Sequence, residues 1–254
     1  MILTVLGSGT SVPHPRRSSS AYWLETSSGT VLLDCSPSAI QRMAELGLDW
    51  AGLDAIWISH FHLDHFGGLA PYLFGIKHAA ETRGRTSPLR IFGGRGLGDL
   101  IRGIDAAGGY RLLEQRFAIE IVEVGELEPF EILPGVEAVA KKTPHTDASH
   151  AIHIRDGEAT MVFTADTGFD TSLTGLAGGV GLFVLECSFI RDKPVELHLE
   201  LAEAMHLIRR AAPQRAMLTH FYPEWDEIDF DDAVAAFDPP CEVFEAFDGL
   251  RIEI

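Results

Sequence analysis

Cysteine is scarce in this chain. The three present, Cys35, Cys187 and Cys241, are odd in number, and no two lie close together. That argues against a disulfide framework and against a cysteine zinc site, and it suits a reducing, cytoplasmic setting. Long apolar runs are missing too: none approaches the roughly 20 residues that a membrane span needs. The opening six residues read as a strand, without a basic n-region or a cleavage site, so no signal peptide is expected. Positive charge is the third shortage. Lys and Arg number 20 against 37 Asp and Glu, a net charge of −17. An acidic surface repels polyanions, and nucleic-acid binders usually present a basic face. Long RNA or DNA is therefore not an expected partner. The densest basic clusters, Arg16-Arg17, residues 77–90 and Lys141-Lys142, are modest. No low-complexity segment, linker-like Gly/Ser run or fixed-period repeat divides the sequence.

What is present is a globular composition: 254 residues, 46% hydrophobic and 22% charged. That fits one domain, residues 1–254, with a sizeable core. Strand-like runs cover residues 2–6, 21–25, 30–34, 55–59, 89–92, 118–124, 130–133, 136–140, 151–154, 159–164, 182–187, 215–219 and 241–244. Helical periodicity is clearest over 37–46, 67–78, 97–107 and 195–211. Pro37 fits a first helical turn with Ser36 as N-cap, and Gly47 fits the end. Strands dominate, and helices interrupt them, some after single strands and some after hairpin runs. The mixture predicts an α/β protein of two packed mixed sheets with helices outside.

The most informative segment is His60-Phe61-His62-Leu63-Asp64-His65. It follows a strand-like run. His60 and His62 are two residues apart and share a side in extended backbone, while Asp64 and His65 follow where the chain turns. Such a segment can feed two adjacent metal ions. Imidazole and carboxylate donors suit zinc, and manganese and iron also fit. His145, Asp166 and His220 each stand just beyond a strand-like run. Loops at strand ends of a rigid sheet are where functional residues gather. Each alone would more often be structural. Together with the six-residue run they supply five histidines and two aspartates, enough for two ions with room for water.

The order His60-x-His62-x-Asp64-His65, then His145, Asp166 and His220, resembles the metallo-β-lactamase superfamily. Further segments resemble its ribonuclease Z-like branch: residues 6–13 (LGSGTSVP), 15–20 (PRRSSS), 32–35 (LLDC), 185–189 (LECSF) and 218–222 (LTHFY). The resemblance runs from residue 2 to about residue 222. It implies a four-layer αβ/βα sandwich with a dinuclear metal site in a cleft at one edge of the sheets. Carried over by position, His60, His62 and His145 hold one ion. Asp64, His65 and His220 hold the other, and Asp166 bridges. The implied activity is hydrolysis by a hydroxide held between two divalent ions, zinc by default. Two ions about 3.5–4 Å apart lower the pKa of a shared water and clamp a phosphoryl group. Two carboxylates against two divalent cations leave a local positive surplus for an anionic substrate.

In that branch a histidine at the position of His198 is implicated in catalysis. It could protonate a leaving oxygen or stabilise phosphoryl charge. Glu186 would orient His198 or serve only as a buried polar anchor. Asp34 would support the metal loop by hydrogen bonds without binding metal. Asp64 has a second candidate role, as acceptor of the attacking water's proton. Arg16 and Arg17 read as a solvated loop more readily than as a phosphate contact. Gly7-x-Gly9 reads as a turn, and His14, His78, His150, His153 and His206 as surface or core histidines. The cleft walls are expected from Phe61, residues 72–84 and Tyr222. The resemblance also implies a homodimer, with residues 69–86 as a candidate interface.

One departure decides the expected substrate. Ribonuclease Z proper carries a long transfer-RNA-gripping arm between the positions matching His145 and Asp166. Here that interval reads as one β-hairpin turning at residues 155–158. With the acidic charge, this favours a phosphodiesterase acting on a small phosphodiester, a cyclic nucleotide or cyclic phosphate. The alternatives are a ribonuclease Z-type transfer-RNA 3′ endonuclease, or another hydrolase of the superfamily such as a lactonase or sulfatase.

Overall fold

Alternation along the strands builds the molecule. In the computed structural model, which describes all residues from Met1 to Ile254, the first sheet holds β1 (Ile2–Gly7), β2 (Ala21–Thr26), β3 (Gly29–Leu33), β4 (Ala55–Ile58), β5 (Leu89–Gly93), β6 (Ile119–Glu123) and β14 (Arg251–Glu253). The second holds β7 (Pro129–Leu133), β8 (Val136–Lys142), β9 (His150–Asp156), β10 (Ala159–Phe163), β11 (Leu182–Glu186), β12 (Arg215–Thr219) and β13 (Glu242–Glu245). The orders are β14-β1-β2-β3-β4-β5-β6 and β13-β12-β11-β10-β9-β8-β7. Each sheet is antiparallel in one part and parallel in the other: β3 to β6 and β10 to β13 run parallel.

Leu3, Val5, Tyr22, Leu24, Val31, Leu33 and Trp57 point between the sheets. Their chain neighbours Leu6, Trp23, Leu32, Ile56 and Ile58 point the other way, under α1 (Ala39–Glu45), α3 (Leu69–His78) and α4 (Leu97–Gly108). A strand buried on both faces needs apolar residues at every position, which is why these runs read as continuous. Outside the second sheet lie α6 (Leu201–Ala211) and α7 (Phe230–Ala235), with α5 (Leu173–Leu176) against α6. The result is the four-layer αβ/βα sandwich. No helix is long and apolar enough to cross a membrane.

All thirteen expected strands are present, with ends shifted by one or two residues. The helix expected over 195–211 begins only at Leu201. The Phe189 N–H donates to the Leu199 carbonyl, and the Leu201 N–H donates to the Phe189 carbonyl, so the chain at Glu200 bridges to Phe189, while residues 196–198 form a turn and a bend instead of helix. Glu200 and Glu203 then form a capping box that starts α6. His198 therefore precedes the helix. Nor is Ser36 an N-cap: its hydroxyl donates to the Ser19 carbonyl, and α1 starts after Ser38. The helix expected over 67–78 is α3, starting at Leu69, and a separate unexpected turn, α2 (Leu63–Phe66), precedes it. β14 was not expected. Three residues are too few for a periodic signal, and its partner β1 lies at the other end of the chain.

Leu24 is fully buried between the sheets. Leu24→Ala should cost about 2–5 kcal/mol in urea unfolding, whereas Leu46→Ala, at a position 38% exposed, should stay within about 0.5 kcal/mol.

Candidate metal centre

Strand ends of both sheets converge on one edge. His60 follows β4, and His62, Asp64 and His65 run into α2. His145 follows β8, Asp166 follows β10 and His220 follows β12. Three residues at these strand ends adopt left-handed backbone without being glycine: Asp34 (φ 61°), Ala165 (φ 50°) and His220 (φ 62°). Such conformations cost about 1–3 kcal/mol each and persist where surrounding structure fixes them.

Asp166 sits at the middle. Its Oδ2 lies 3.8 Å from His60 Nε2 and 3.6 Å from His145 Nε2. Its Oδ1 lies 3.2 Å from His65 Nε2 and 3.3 Å from His220 Nε2. Asp64 Oδ2 joins the second group, 3.6 Å from His65 Nε2 and 3.7 Å from His220 Nε2. His62 joins the first, its Nδ1 3.0 Å from His145 Nε2. One carboxylate thus turns one oxygen to each of two donor sets.

The inward nitrogens of His60, His65, His145 and His220 are each aimed by a bond behind the ring. His65 Nδ1–H donates to Asp34 Oδ2 at 2.7 Å. Asp34 also accepts from the Ser59 N–H and hydroxyl, both at 2.8 Å. With its proton committed there, the Ser59 hydroxyl accepts from His60 Nδ1 at 3.0 Å. Ser188 plays the same part on the other side. Its hydroxyl donates to Glu186 Oε2 at 2.7 Å and accepts from His220 Nδ1 at 3.0 Å. His145 Nδ1 donates to the Leu197 carbonyl at 2.8 Å. These bonds fix the tautomers so that Nε2 lone pairs face inward.

His60 Nε2, His65 Nε2, His220 Nε2 and Asp166 Oδ1 are buried and have no hydrogen-bond partner. Leaving such atoms unpaired costs about 1–3 kcal/mol each. Ligands of a tetrahedral ion at about 2.0–2.1 Å lie about 3.4 Å apart, within the span of separations seen here. The donor set fits a divalent cation. Burial drives the His60 imidazole down to about 2, and repulsion from His65, His145 and His62 adds to it against Asp166. It is neutral and available as a ligand. Burial also works against charge on His65 and Asp166, yet Asp166 and Asp34 raise His65 well above its usual value, and His220 and His65 lower Asp166 well below. A bound cation would take over the work of that proton.

His198 adjoins the centre, close to Asp166 and His220, with its ring stacked on His220 at 5.5 Å. Its Nδ1 donates to Glu186 Oε1 at 2.8 Å. Burial lowers the His198 value, but the hydrogen bond and charge of Glu186, aided by Asp166, raise it to about 9. Glu186 also accepts the N–H groups of Thr167 and Leu199, so it both anchors the loops and orients His198.

All the sequence-derived site residues thus meet, and other expectations change. Arg17 is neither a solvated loop residue nor free for phosphate: it is bound to Asp226 and Glu245 and only 10% exposed. Arg16, 70% exposed, also reaches Asp226. Tyr72 is core, its hydroxyl bonded to the Trp50 carbonyl. Tyr222 stacks on Phe189 beside His198, and Phe61 packs on Phe66. His14, His78, His150, His153 and His206 stay outside the cluster. The sequence reading missed Ser59, Ser188 and the Leu197 carbonyl. A backbone oxygen leaves no sequence signal, and the serines become visible only beside the imidazoles they face.

The family described as Anti-Pycsar protein Apyc1 matches residues 1–238. A relative named ribonuclease Z, from Mycobacterium sp. (strain KMS), is 29% identical over 244 residues, covering 87% of this chain and 84% of the relative. The metallo-β-lactamase fold protein YhfI from Bacillus subtilis superposes with a TM-score of 0.82 at 22% identity, over 100% of this chain and 99% of that one. Human short-form tRNase Z gives 0.79 at 20% identity, over 100% and 99%.

Zinc added to the metal-free protein at about 100 times its dissociation constant should contribute about 2.7 kcal/mol of stability, read as a rise in unfolding temperature. Asp34→Asn keeps the backbone conformation accessible but weakens the acceptor behind His65 and Ser59. It should lower zinc affinity about 10- to 100-fold by competition with a chromogenic chelator.

Proposed function

The chain belongs to the Anti-Pycsar protein Apyc1 family and is a metal-dependent hydrolase of the metallo-β-lactamase superfamily; from that premise we propose a phosphodiesterase that cleaves a small phosphodiester or cyclic nucleotide at a two-metal centre. In this reading His60, His62 and His145 would hold one ion and Asp64, His65 and His220 the other, with Asp166 offering one oxygen to each set. The observation that carries it is the division of the Asp166 oxygens between two sets of inward-facing imidazoles. When bound, the ions supply an acidified water and a clamp for phosphoryl oxygens. Zinc is the default for these donors, and manganese and iron fit them as well.

The residues of the chain divide the remaining work. Asp64 is held ionised at about 2: burial opposes this, and His220 and His65 overcome it. It receives the proton of the attacking water. His198, kept protonated by Glu186, gives its proton to the leaving oxygen from the nitrogen facing away from Glu186. Asp34, Ser59 and Ser188 hold the imidazoles and take no part in proton movement.

A small substrate is favoured over transfer RNA on three grounds. The interval between His145 and Asp166 holds only the β9–β10 hairpin. The net charge is −17. Arg16 and Arg17 are committed to carboxylates. The likeness to a protein named ribonuclease Z favours the alternative, a transfer-RNA 3′ endonuclease.

The test is metal content with turnover of bis-p-nitrophenyl phosphate, a cyclic mononucleotide and a precursor transfer RNA. The protein should hold about two ions and cleave both small diesters. Cleavage of transfer RNA alone would establish the alternative, and a metal-loaded protein inert toward all three would refute the reaction class. His198→Ala should keep its metals and lose at least about tenfold in rate. The rate should fall at alkaline pH as His198 loses its proton, below about 9 because bound cations repel the imidazolium. Glu186→Gln removes the charge that holds the proton, so this limb should move to lower pH.

A further inference from the structure

Lys193 is a charged side chain that the site described so far does not use, and it is only 8% exposed. Its ammonium donates to the backbone carbonyl of His198 at 3.2 Å and to both oxygens of Glu203 at 2.8 and 2.9 Å. Glu203 stands in the first turn of α6 and also accepts the Glu200 N–H at 3.2 Å. One ammonium therefore ties the stretch before α6 to the helix itself and closes the loop 193–198 on its own backbone. A third carboxylate, Glu196 at 3.1 Å, is 89% exposed, and an ion pair so open to solvent contributes little.

His198 is held at three points. Glu186 Oε1 takes its Nδ1–H, Glu186 Oε2 takes the N–H of Leu199, and Lys193 takes its carbonyl. The first alone leaves the imidazole free to swing about the Glu186 carboxylate. The other two fix the backbone on which it swings. The same loop carries the Leu197 carbonyl that receives His145 Nδ1.

We propose that Lys193 is a positioning residue for His198: by gripping the His198 carbonyl and Glu203 together it holds the imidazole where it can reach a leaving oxygen. The proposal rests on the acid role of His198 argued above. Displacing a catalytic group by about 1 Å can cost about 100-fold in rate. The loss should depend on the leaving group, because proton donation matters most where the departing oxygen is most basic.

The experiment compares wild type, Lys193→Met, Lys193→Arg, Glu196→Gln and His198→Ala, each metal-loaded and full length. Substrates are bis-p-nitrophenyl phosphate, with a good leaving group, and diphenyl phosphate, with a poor one. Lys193→Met should keep its metals and a KM within about twofold. Its kcat should fall about tenfold on the first substrate and about 100-fold on the second, parallel to His198→Ala. Lys193→Arg should recover most of the loss, and Glu196→Gln should match wild type. Equal losses on both substrates, or loss of metal with a fall in unfolding temperature, would assign Lys193 a structural part and overturn the proposal. So would a fully active Lys193→Met beside an impaired His198→Ala, which leaves the His198 role standing. A fully active His198→Ala removes the acid role itself, and the Lys193 role falls with it.

Discussion

Imidazoles whose ring centroids lie 4.2 to 5.5 Å apart repel one another as soon as they are protonated, and a bond from behind is what turns a ring toward its neighbours. Everything at the working edge of this protein answers that constraint. Asp34 and Glu186, each ending a strand or following it closely, take the outward N–H groups directly or through Ser59 and Ser188. Asp166 compensates from the inside. The two sheets contribute one such device each: Asp34 with Ser59 from the first, Glu186 with Ser188 from the second. The backbone strain at Asp34, Ala165 and His220 lies on the same strand ends, where the buried sheets can hold it.

With two divalent ions bound, as proposed above, the charge of the site would differ in sign from that of the molecule. A net −17 would keep anions away if it were spread evenly. The carboxylates at the centre are instead few and surrounded by nitrogen donors, so two divalent ions would leave it positive. Arg16 and Arg17, which could have extended that positive field, are held by Asp226 and Glu245. On the proposed reading, attraction for an anion would thereby be confined to the metal centre, which would suit a substrate with one or two phosphates better than a polyanion.

Much of this was legible before any coordinates. Strands buried on both faces announce themselves as apolar runs, and all thirteen expected strands are found. The donor set was legible because four of its members crowd into six residues and the rest stand at strand ends. What failed to show were features set by distant partners. Residues 195–199 have helical periodicity, but the bonds of Phe189 to Leu199 and Leu201 hold the chain off the helix there. β14 exists because β1 offers it an edge. Tyr72, expected at the cleft wall, is drawn into the core by the Trp50 carbonyl.

The sequence by itself determined the class of sheet, the candidate ligands and the scarcity of cationic grip, because composition and short-range periodicity are local properties. Tertiary structure decided which oxygen of Asp166 faces which histidines, and that Arg17 is occupied. It also decided that His198 sits at a bend in the loop before α6, gripped by Lys193, rather than on a helix. Those outcomes depend on hydrogen bonds and ion pairs between residues far apart in the chain. Direction and partner choice for a polar atom are fixed only when the strands that carry both ends are in place.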